Sequence, residues 1–468
     1  MEEPLTYLKQ RASDDWLVGF DSHEFVYLTE QLLLELTPLL QGETPPKILL
    51  AYREPLQFLA GFIAATTAGC PVFLCNPNWV KAEWQQVFDL VQPDLIWGQE
   101  VIANKQQKNS LIENPKSKIQ NPIMIPTGGS SGQIRFAIHT WETLMASVQG
   151  FTQYFGASSV NSFCVLPLYH VSGLMQFMRS LTTCGRLVIM PFKALEAGIQ
   201  GNIDPEEFFI SLVPTQLQRL LHQNPIWLSR FHTVLLGGAP AWLQLLETAR
   251  DNCIRLALTY GMTETASQIV TLNPVDFLKG TNNCGQVLPH AKVTIRNSNG
   301  EILDTNKTGI ITIQADSLAL GYYPDLFNEA QHFQVDDLGF FDEQGFLNIV
   351  GRNSNKIITG GENVFPDEIE AAIRATQLVT DVCAIGVPDK QWGQVVTAVY
   401  VPINTEVSIA TLQTALEDKL SKFKQPKYWI PLESLPRNLQ GKLNREQLQK
   451  IAISHIMHPT FNYAEILP

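Results

Sequence analysis

Ile123-Met124-Ile125-Pro126-Thr127-Gly128-Gly129-Ser130-Ser131-Gly132-Gln133-Ile134-Arg135 is the stretch from which the fold of this chain is read. Three apolar residues stop at Pro126 and give way to six that are only Gly, Ser or Thr; Arg135 follows three residues after the last glycine. A buried strand feeding such a loop can wrap backbone N–H groups and hydroxyls around a phosphate chain. No Gly-Lys-Ser/Thr closes it, so it is not the common nucleotide loop, and the mismatch restricts the nucleotide chemistry available.

The surrounding chain has 468 residues, enough for two or three domains with a large core. Hydrophobic residues are 45% and charged residues 17%, a globular balance. A formal net charge of −12 argues against a nucleic-acid surface, so a polyanionic ligand must be met by a few local cations. The seven cysteines are scattered, without a C-x-x-C, which fits reduced thiols rather than disulfides or a zinc site. Met-Glu-Glu-Pro at the start lacks a signal-peptide layout. The most apolar run, 58–75, contains Thr66, Thr67, Gly69 and Pro71 and reads as a buried helix turning into a strand rather than a membrane span. A cytoplasmic location is expected.

Apolar runs at 47–51, 72–75 and 95–97 alternate with a helical pattern near 56–68, which predicts crossover units around a mostly parallel sheet. Residues 105–121 are polar and predict an exposed loop. Further α/β units follow: strands at 162–168, 187–190 and 233–236, with helices after Ser172 and over 214–222. From Gly285 the texture turns to short strands (292–296, 309–313, 346–350) with turns, predicting an antiparallel region. After Gly351 the pattern restarts, with strands at 356–359, 384–387 and 395–401 and a helix over 366–376. The predicted fold class is α/β: a large N-terminal domain of α/β subdomains plus a β-rich portion (1–351), a hinge (352–355), and a small mobile α+β C-terminal domain (356–468).

Three polar segments sit beside apolar runs. In Thr259-Tyr260-Gly261-Met262-Thr263-Glu264-Thr265, a strand-end Tyr can stack on a base and Glu264 is a hard oxygen ligand suited to Mg²⁺; read alone, the segment better fits an ordinary turn with a solvated glutamate. Asp336-Asp337-Leu338-Gly339 with Gly351-Arg352 suits a ribose clamp, or a hairpin turn with a surface salt bridge. Leu435 to Arg445 presents Lys442 beside Gly441, either a mobile loop tip or a solvated basic face.

The order of these segments is more specific than any one of them. The chain resembles the adenylate-forming superfamily of acyl- and aryl-CoA synthetases, luciferases and nonribosomal adenylation domains across about residues 45 to 446. The landmarks are Thr127–Gly132, Leu166–Gly173, Leu236-Gly237-Gly238-Ala239, Tyr260–Thr265, Asp337 with Gly351-Arg352, the run from Gly360 to Glu370, and Gly441-Lys442. Within the superfamily the likeness is greatest to the o-succinylbenzoate–CoA ligase family of menaquinone and phylloquinone synthesis. It is carried by Pro167-Leu168-Tyr169-His170-Val171-Ser172-Gly173, by Ser211-Leu212-Val213-Pro214-Thr215-Gln216-Leu217, and by the Thr-Gly-Gly-Ser-Ser-Gly loop running into Arg135-Phe136-Ala137-Ile138-His139-Thr140.

The resemblance implies an ATP-, Mg²⁺- and CoA-dependent ligase acting on a small carboxylic acid, with no nucleic-acid partner. By that resemblance Thr127, Gly128, Gly129, Ser130, Ser131 and Gly132 hold the departing phosphates, with Arg135 where a lysine is usual. Thr263 touches the α-phosphate, Glu264 holds Mg²⁺, and Tyr260 with Gly261 packs against adenine beside Gly238 and Ala239. Asp337 and Arg352 grip the ribose, Lys442 bridges the substrate carboxylate and α-phosphate, and Gly360 and Gly361 line the pantetheine channel. Arg179 is the candidate reader of the substrate's second carboxylate, with His170, Ser172 and Thr215 as further pocket residues. Two positions depart from the family's pattern: Ser354 stands in the hinge where Asp or Lys is common, and Asp336 replaces the glycine before Asp337. The alternatives are a CoA ligase for another aromatic or medium-chain acid, and a stand-alone adenylation enzyme loading a carrier protein.

Overall fold

The computed structural model describes residues 2–42, 44–98, 119, 121–128, 133–327, 332–359, 362–389, 392–417, 419–420, 422–437 and 443–457. The predicted loop 105–121 lies almost wholly outside them, as do Gly129 to Gly132, Gly360, Gly361, Gly441 and Lys442. Among the described residues the strands form four sheets. The first has the order Asp325–Leu326, Gly321–Tyr322, Ile134–His139, Ile123–Gly128, Val72–Leu74, Ile48–Leu50, Leu95–Trp97. Its last four strands are parallel, as the alternating pattern predicts, and the hairpin after Ile123–Gly128 turns the remainder antiparallel. That hairpin sets Thr127 opposite Arg135.

The helix Pro55–Thr67 is apolar on nearly every side, because it lies between this sheet and other helices. Phe58, Leu59, Phe62 and Ile63 are buried there, each contributing about 2 kcal/mol of burial. The second sheet runs Leu17–Val18, Leu187–Ile189, Asn161–Cys164, Phe208–Leu212, Thr233–Leu236, Leu256–Met262, Ser267–Thr271, Gln286–Val287. It is parallel as far as Leu256–Met262, then antiparallel. The strand predicted over 162–168 ends at Cys164, since Pro167 cannot donate to a ladder.

The β-rich portion is a four-stranded antiparallel sheet of Ala291–Arg296, Gly309–Ala315, Phe333–Phe341 and Leu347–Arg352. Asp336 and Asp337 therefore sit within a strand rather than in a turn, and Asp337 pairs with Arg352 across the ladder. Tyr260 likewise lies inside Leu256–Met262, which extends past the apolar run because its pairing with Ser267–Thr271 continues.

The C-terminal part has its own core around Ile369, Val382, Val396 and Trp429. Its sheet orders Glu362–Val364, Ile357–Thr359, Gly393–Pro402 and Val379–Asp389, with Tyr428–Pro431 parallel to Gly393–Pro402. Among the described residues no helix is long and apolar enough to cross a membrane.

Candidate active site

The strand Leu256–Met262 runs directly into the short turn Thr263–Thr265, and this junction organises the site. Gly261 must be glycine: a Cβ there would stand 2.1 Å from the Ser267 carbonyl oxygen. Glu264 is buried, 7% exposed, and its Oε1 accepts the Tyr322 hydroxyl at 2.6 Å and approaches Thr127 Oγ1 at 3.5 Å. The Arg135 guanidinium lies 4.5 Å from the centre of the Tyr322 ring. Burial and the Glu264 charge raise the Tyr322 hydroxyl well above its ordinary range, so it remains a donor. Thr127 and Arg135, opposite each other in one hairpin, thus meet Glu264, 137 residues beyond Thr127, around one tyrosine that the sequence motifs did not single out.

His139 was also unassigned at the level of sequence. It is fully buried; its Nε2 lies 2.8 Å from the Thr263 carbonyl oxygen and its Nδ1 lies 3.0 Å from Thr143 Oγ1. The carbonyl only accepts, so the consistent tautomer carries its proton on Nε2 and accepts from Thr143 at Nδ1. Burial lowers its pKa to about 4, against the raising effect of the Thr263 carbonyl, so the ring is neutral at pH 7. It pins the backbone at the turn that carries Thr263 and Glu264.

A second cluster lies on the antiparallel sheet. The Tyr260 hydroxyl donates to Asp337 Oδ2 at 2.8 Å, and Arg352 Nε stands 3.3 Å from Asp337 Oδ1. Burial and Asp337 raise the Tyr260 phenol, which stays neutral. Each carboxylate oxygen still has a lone pair for a diol. Beside it the two departures from the family pattern meet: Ser354 donates to the Asp336 carboxylate through both its backbone N–H, at 3.2 Å, and its hydroxyl.

Gly238 adopts φ +79° and Ala239 is exposed, both just beyond the strand Thr233–Leu236. His170 precedes the helix Val171–Thr182, its ring 4.6 Å from that of Tyr169. Ser172 is half-buried in the first turn, where Gly173 packs so closely on the Pro167 carbonyl that a Cβ would stand 2.2 Å away. Thr215 is exposed at the start of Pro214–Gln223. Arg179 is buried, not surface-lying, and bonds Ser267 and Gln268.

Among the described residues no group of three or more His, Cys, Asp or Glu side chains is set to hold a metal. Glu264 supplies one hard carboxylate with hydroxyls beside it, which suits an Mg²⁺ ion that takes its other ligands from phosphates and water.

A hairpin whose Thr127 meets the Glu264 carboxylate, together with a carboxylate–arginine pair on the antiparallel sheet, fits a nucleotide-binding enzyme of the adenylate-forming type. Residues 39–323 match the AMP-binding enzyme family and residues 368–442 its C-terminal domain, and the chain belongs to that family. The 2-succinylbenzoate–CoA ligase of Listeria innocua is 34% identical over 335 residues, covering 69% of this chain and 68% of the relative. The ligase of that name from Bacillus subtilis is 31% identical over 389 residues, covering 82% and 78%. Among solved structures, o-succinylbenzoate CoA synthetase from Bacillus subtilis with its acyl-adenylate intermediate aligns with TM-score 0.82 at 23% identity, covering 95% of this chain and 97% of that one. ATP-bound MatB from Rhodopseudomonas palustris aligns with TM-score 0.79 at 20% identity, covering 96% and 98%. These likenesses bear out the predicted fold class.

Proposed function

We propose that this chain is an AMP-forming ligase that converts o-succinylbenzoate and CoA to o-succinylbenzoyl-CoA, a step of menaquinone or phylloquinone synthesis. The observation that carries it is the 31% identity to the Bacillus subtilis ligase across 82% of the chain. In the first half-reaction a substrate carboxylate oxygen attacks the α-phosphorus of ATP and the bond to the bridging oxygen breaks, releasing pyrophosphate. In the second, the CoA sulfur attacks the acyl carbonyl, the carbon–oxygen bond to AMP breaks, and the thiol proton passes to solvent. The protein contributes positioning and charge neutralisation rather than covalent chemistry in the first step.

Thr127 to Gly132 and Arg135 surround the departing phosphates, while Thr263 contacts the α-phosphate on a backbone pinned by His139. Glu264, oriented by Tyr322, is the carboxylate for Mg²⁺, which supplies neutralisation of phosphate charge when bound. Asp337 and Arg352 hold the ribose, Tyr260 fixes Asp337 while flanking the adenine, and Gly238 and Ala239 complete that wall. Lys442 is delivered by the domain 356–468, which turns about 352–355 and brings Gly360 and Gly361 to the pantetheine arm.

Pyrophosphate release across a panel of aromatic and dicarboxylic acids, with and without CoA, tests the assignment. Turnover of o-succinylbenzoate above the other acids, with thioester formed only when CoA is present, is expected. No turnover of o-succinylbenzoate refutes the proposal.

A further inference from the structure

We infer, on the footing of the proposed function, that Tyr322 is the positioning residue for both charges of the phosphate site: its ring face docks the Arg135 guanidinium and its hydroxyl holds the Glu264 carboxylate. Tyr322 is thereby what lets an arginine serve where a lysine is usual.

The segment 317–323 laces two motifs together. Ser317 Oγ donates to the Thr265 carbonyl at 2.9 Å and the Ala319 N–H to the Glu264 carbonyl at 2.7 Å, which fastens the segment to the turn Thr263–Thr265. The Leu320 N–H donates to the Ile138 carbonyl at 2.8 Å and the Tyr323 N–H to the Phe136 carbonyl at 2.9 Å, which fastens it to the strand Ile134–His139. These bonds set Tyr322 opposite Ala137. Successive strand residues point to opposite faces, so Tyr323 turns inward, its ring 4.9 Å from that of Phe73, and Tyr322 takes the other face. Arg135 lies two residues before Ala137, and Thr127 lies opposite Arg135. Thr127, Arg135 and Tyr322 therefore share one face of three neighbouring strands. Tyr322 and Arg135 are diagonal neighbours, a separation that an aromatic and a long side chain can bridge.

The contacts follow from that register. The Arg135 guanidinium lies 4.5 Å from the centre of the Tyr322 ring, and the Tyr322 hydroxyl donates to Glu264 Oε1 at 2.6 Å. Phe327 meets the same ring edge-on, 5.3 Å between centres, and limits its rotation. Arg135 is exposed, and among the described residues no carboxylate pairs with it, Glu264 included. Each charge is bonded to the tyrosine and neither to the other. Paired, they would neutralise each other; held apart, the cation stays available to phosphate oxygens and the carboxylate to a metal.

The two halves of Tyr322 act by different physics. A guanidinium is planar and stacks on an aromatic face, whereas an ammonium is a compact point charge with no face to stack. The ring thus suits the arginine at 135 better than it would a lysine. The hydroxyl acts on the other charge, since a hydrogen bond to a ligating carboxylate fixes its orientation and tunes its hold on the metal.

Calorimetric binding of α,β-methylene-ATP, whose reacting bridge oxygen is replaced by carbon, reads both roles without turnover. Each protein is titrated with Mg²⁺ in excess and with the metal chelated. Tyr322→Phe keeps the ring, so metal-free binding should hold within about 2-fold while the gain from Mg²⁺ falls about 10-fold. Tyr322→Leu should lose that gain and also weaken metal-free binding about 2- to 5-fold, the size of one cation–π contact. Arg135→Lys should weaken metal-free binding by a similar factor and keep the gain from Mg²⁺. In the Arg135→Lys background, Tyr322→Leu should cost no further metal-free affinity, because the stacked pair is already gone. Should Tyr322→Leu not fold, Tyr322→Phe and Arg135→Lys still decide, since each must move one measurement and leave the other. A Tyr322→Phe that keeps the full gain from Mg²⁺, additive metal-free losses in the double variant, or variants that all lose both measurements together overturn the assignment of Tyr322. A wild type that does not bind the analogue, or gains nothing from Mg²⁺, overturns the proposed roles of Arg135 and Glu264 as well. Variants that behave as expected in a wild type inactive on o-succinylbenzoate refute only the choice of acid.

Discussion

His139 offers a prediction whose sign and size follow from its surroundings. Its imidazole is fully buried and neutral, donating to the Thr263 carbonyl and accepting from Thr143. Unfolded, the ring titrates near 6.5; folded, burial lowers it to about 4. Between those values the unfolded chain binds the proton and the folded chain does not, so stability rises with pH there and is fully present above about 6.5. Each pH unit within the window corresponds to about 1.4 kcal/mol, or roughly 2 kcal/mol lost between pH 6.5 and 5. His139→Gln keeps one N–H donor and one acceptor but cannot titrate. It is therefore expected to be less stable than the wild type at pH 7.5 by about 1–2 kcal/mol, for imperfect packing, and to close that gap as pH falls. Urea denaturation of both proteins at pH 7.5, 6 and 5 measures the difference, and taking the difference removes contributions from His290 and other shared groups. Parallel pH dependence of the two proteins would refute the assignment of His139 as a buried neutral clamp. In the same variants adenylation should track how well the Thr263 carbonyl is satisfied, with His139→Phe worse than His139→Gln by about 10-fold or more, since an unpaired buried carbonyl costs about 1–3 kcal/mol.

Lys442→Ala is expected to abolish adenylate formation, by about 100-fold or more, while still converting supplied acyl-adenylate to thioester; equal loss in both half-reactions would contradict delivery of the lysine by a turning domain. Glu264→Gln should weaken the Mg²⁺ dependence of adenylation by about 10-fold or more, read as the metal concentration at half-maximal rate; an unmoved metal dependence removes Glu264 as the ligand. Asp336→Gly removes the acceptor of both Ser354 hydrogen bonds at the proposed hinge. It should change thioester formation from supplied adenylate several-fold, and adenylation less, because an exposed contact of about 1 kcal/mol shifts a two-state ratio by that much. Equal changes in the two steps would argue against a hinge role.

The local chemistry was legible because it is contiguous. The run into Thr127, the Thr263-Glu264 pair and the alternating strand-helix pattern each express a property of neighbouring residues: apolar period, loop composition, ligand type. The ladder pairing of Asp337 with Arg352 bears out a juxtaposition that the motif order implied. Asp336 and Ser354 were visible as departures, but nothing in the sequence joined them to each other.

What remained hidden depends on residues that become neighbours only when the sheets close. His139 reads as one histidine after an apolar strand, yet its partner carbonyl lies 124 residues away. Tyr322 ends the short strand Gly321–Tyr322, and its bond to Glu264 spans 58 residues. Arg179 was named from the resemblance as a pocket residue, but helical period alone could not say what covers it; the strand Ser267–Thr271 and the Phe151 ring do. Sequence by itself determined the order of elements and which segments carry the candidate groups, since these depend on short-range composition. Tertiary structure alone decided which polar groups are desolvated and what they face, and burial is what turns a histidine into a neutral clamp.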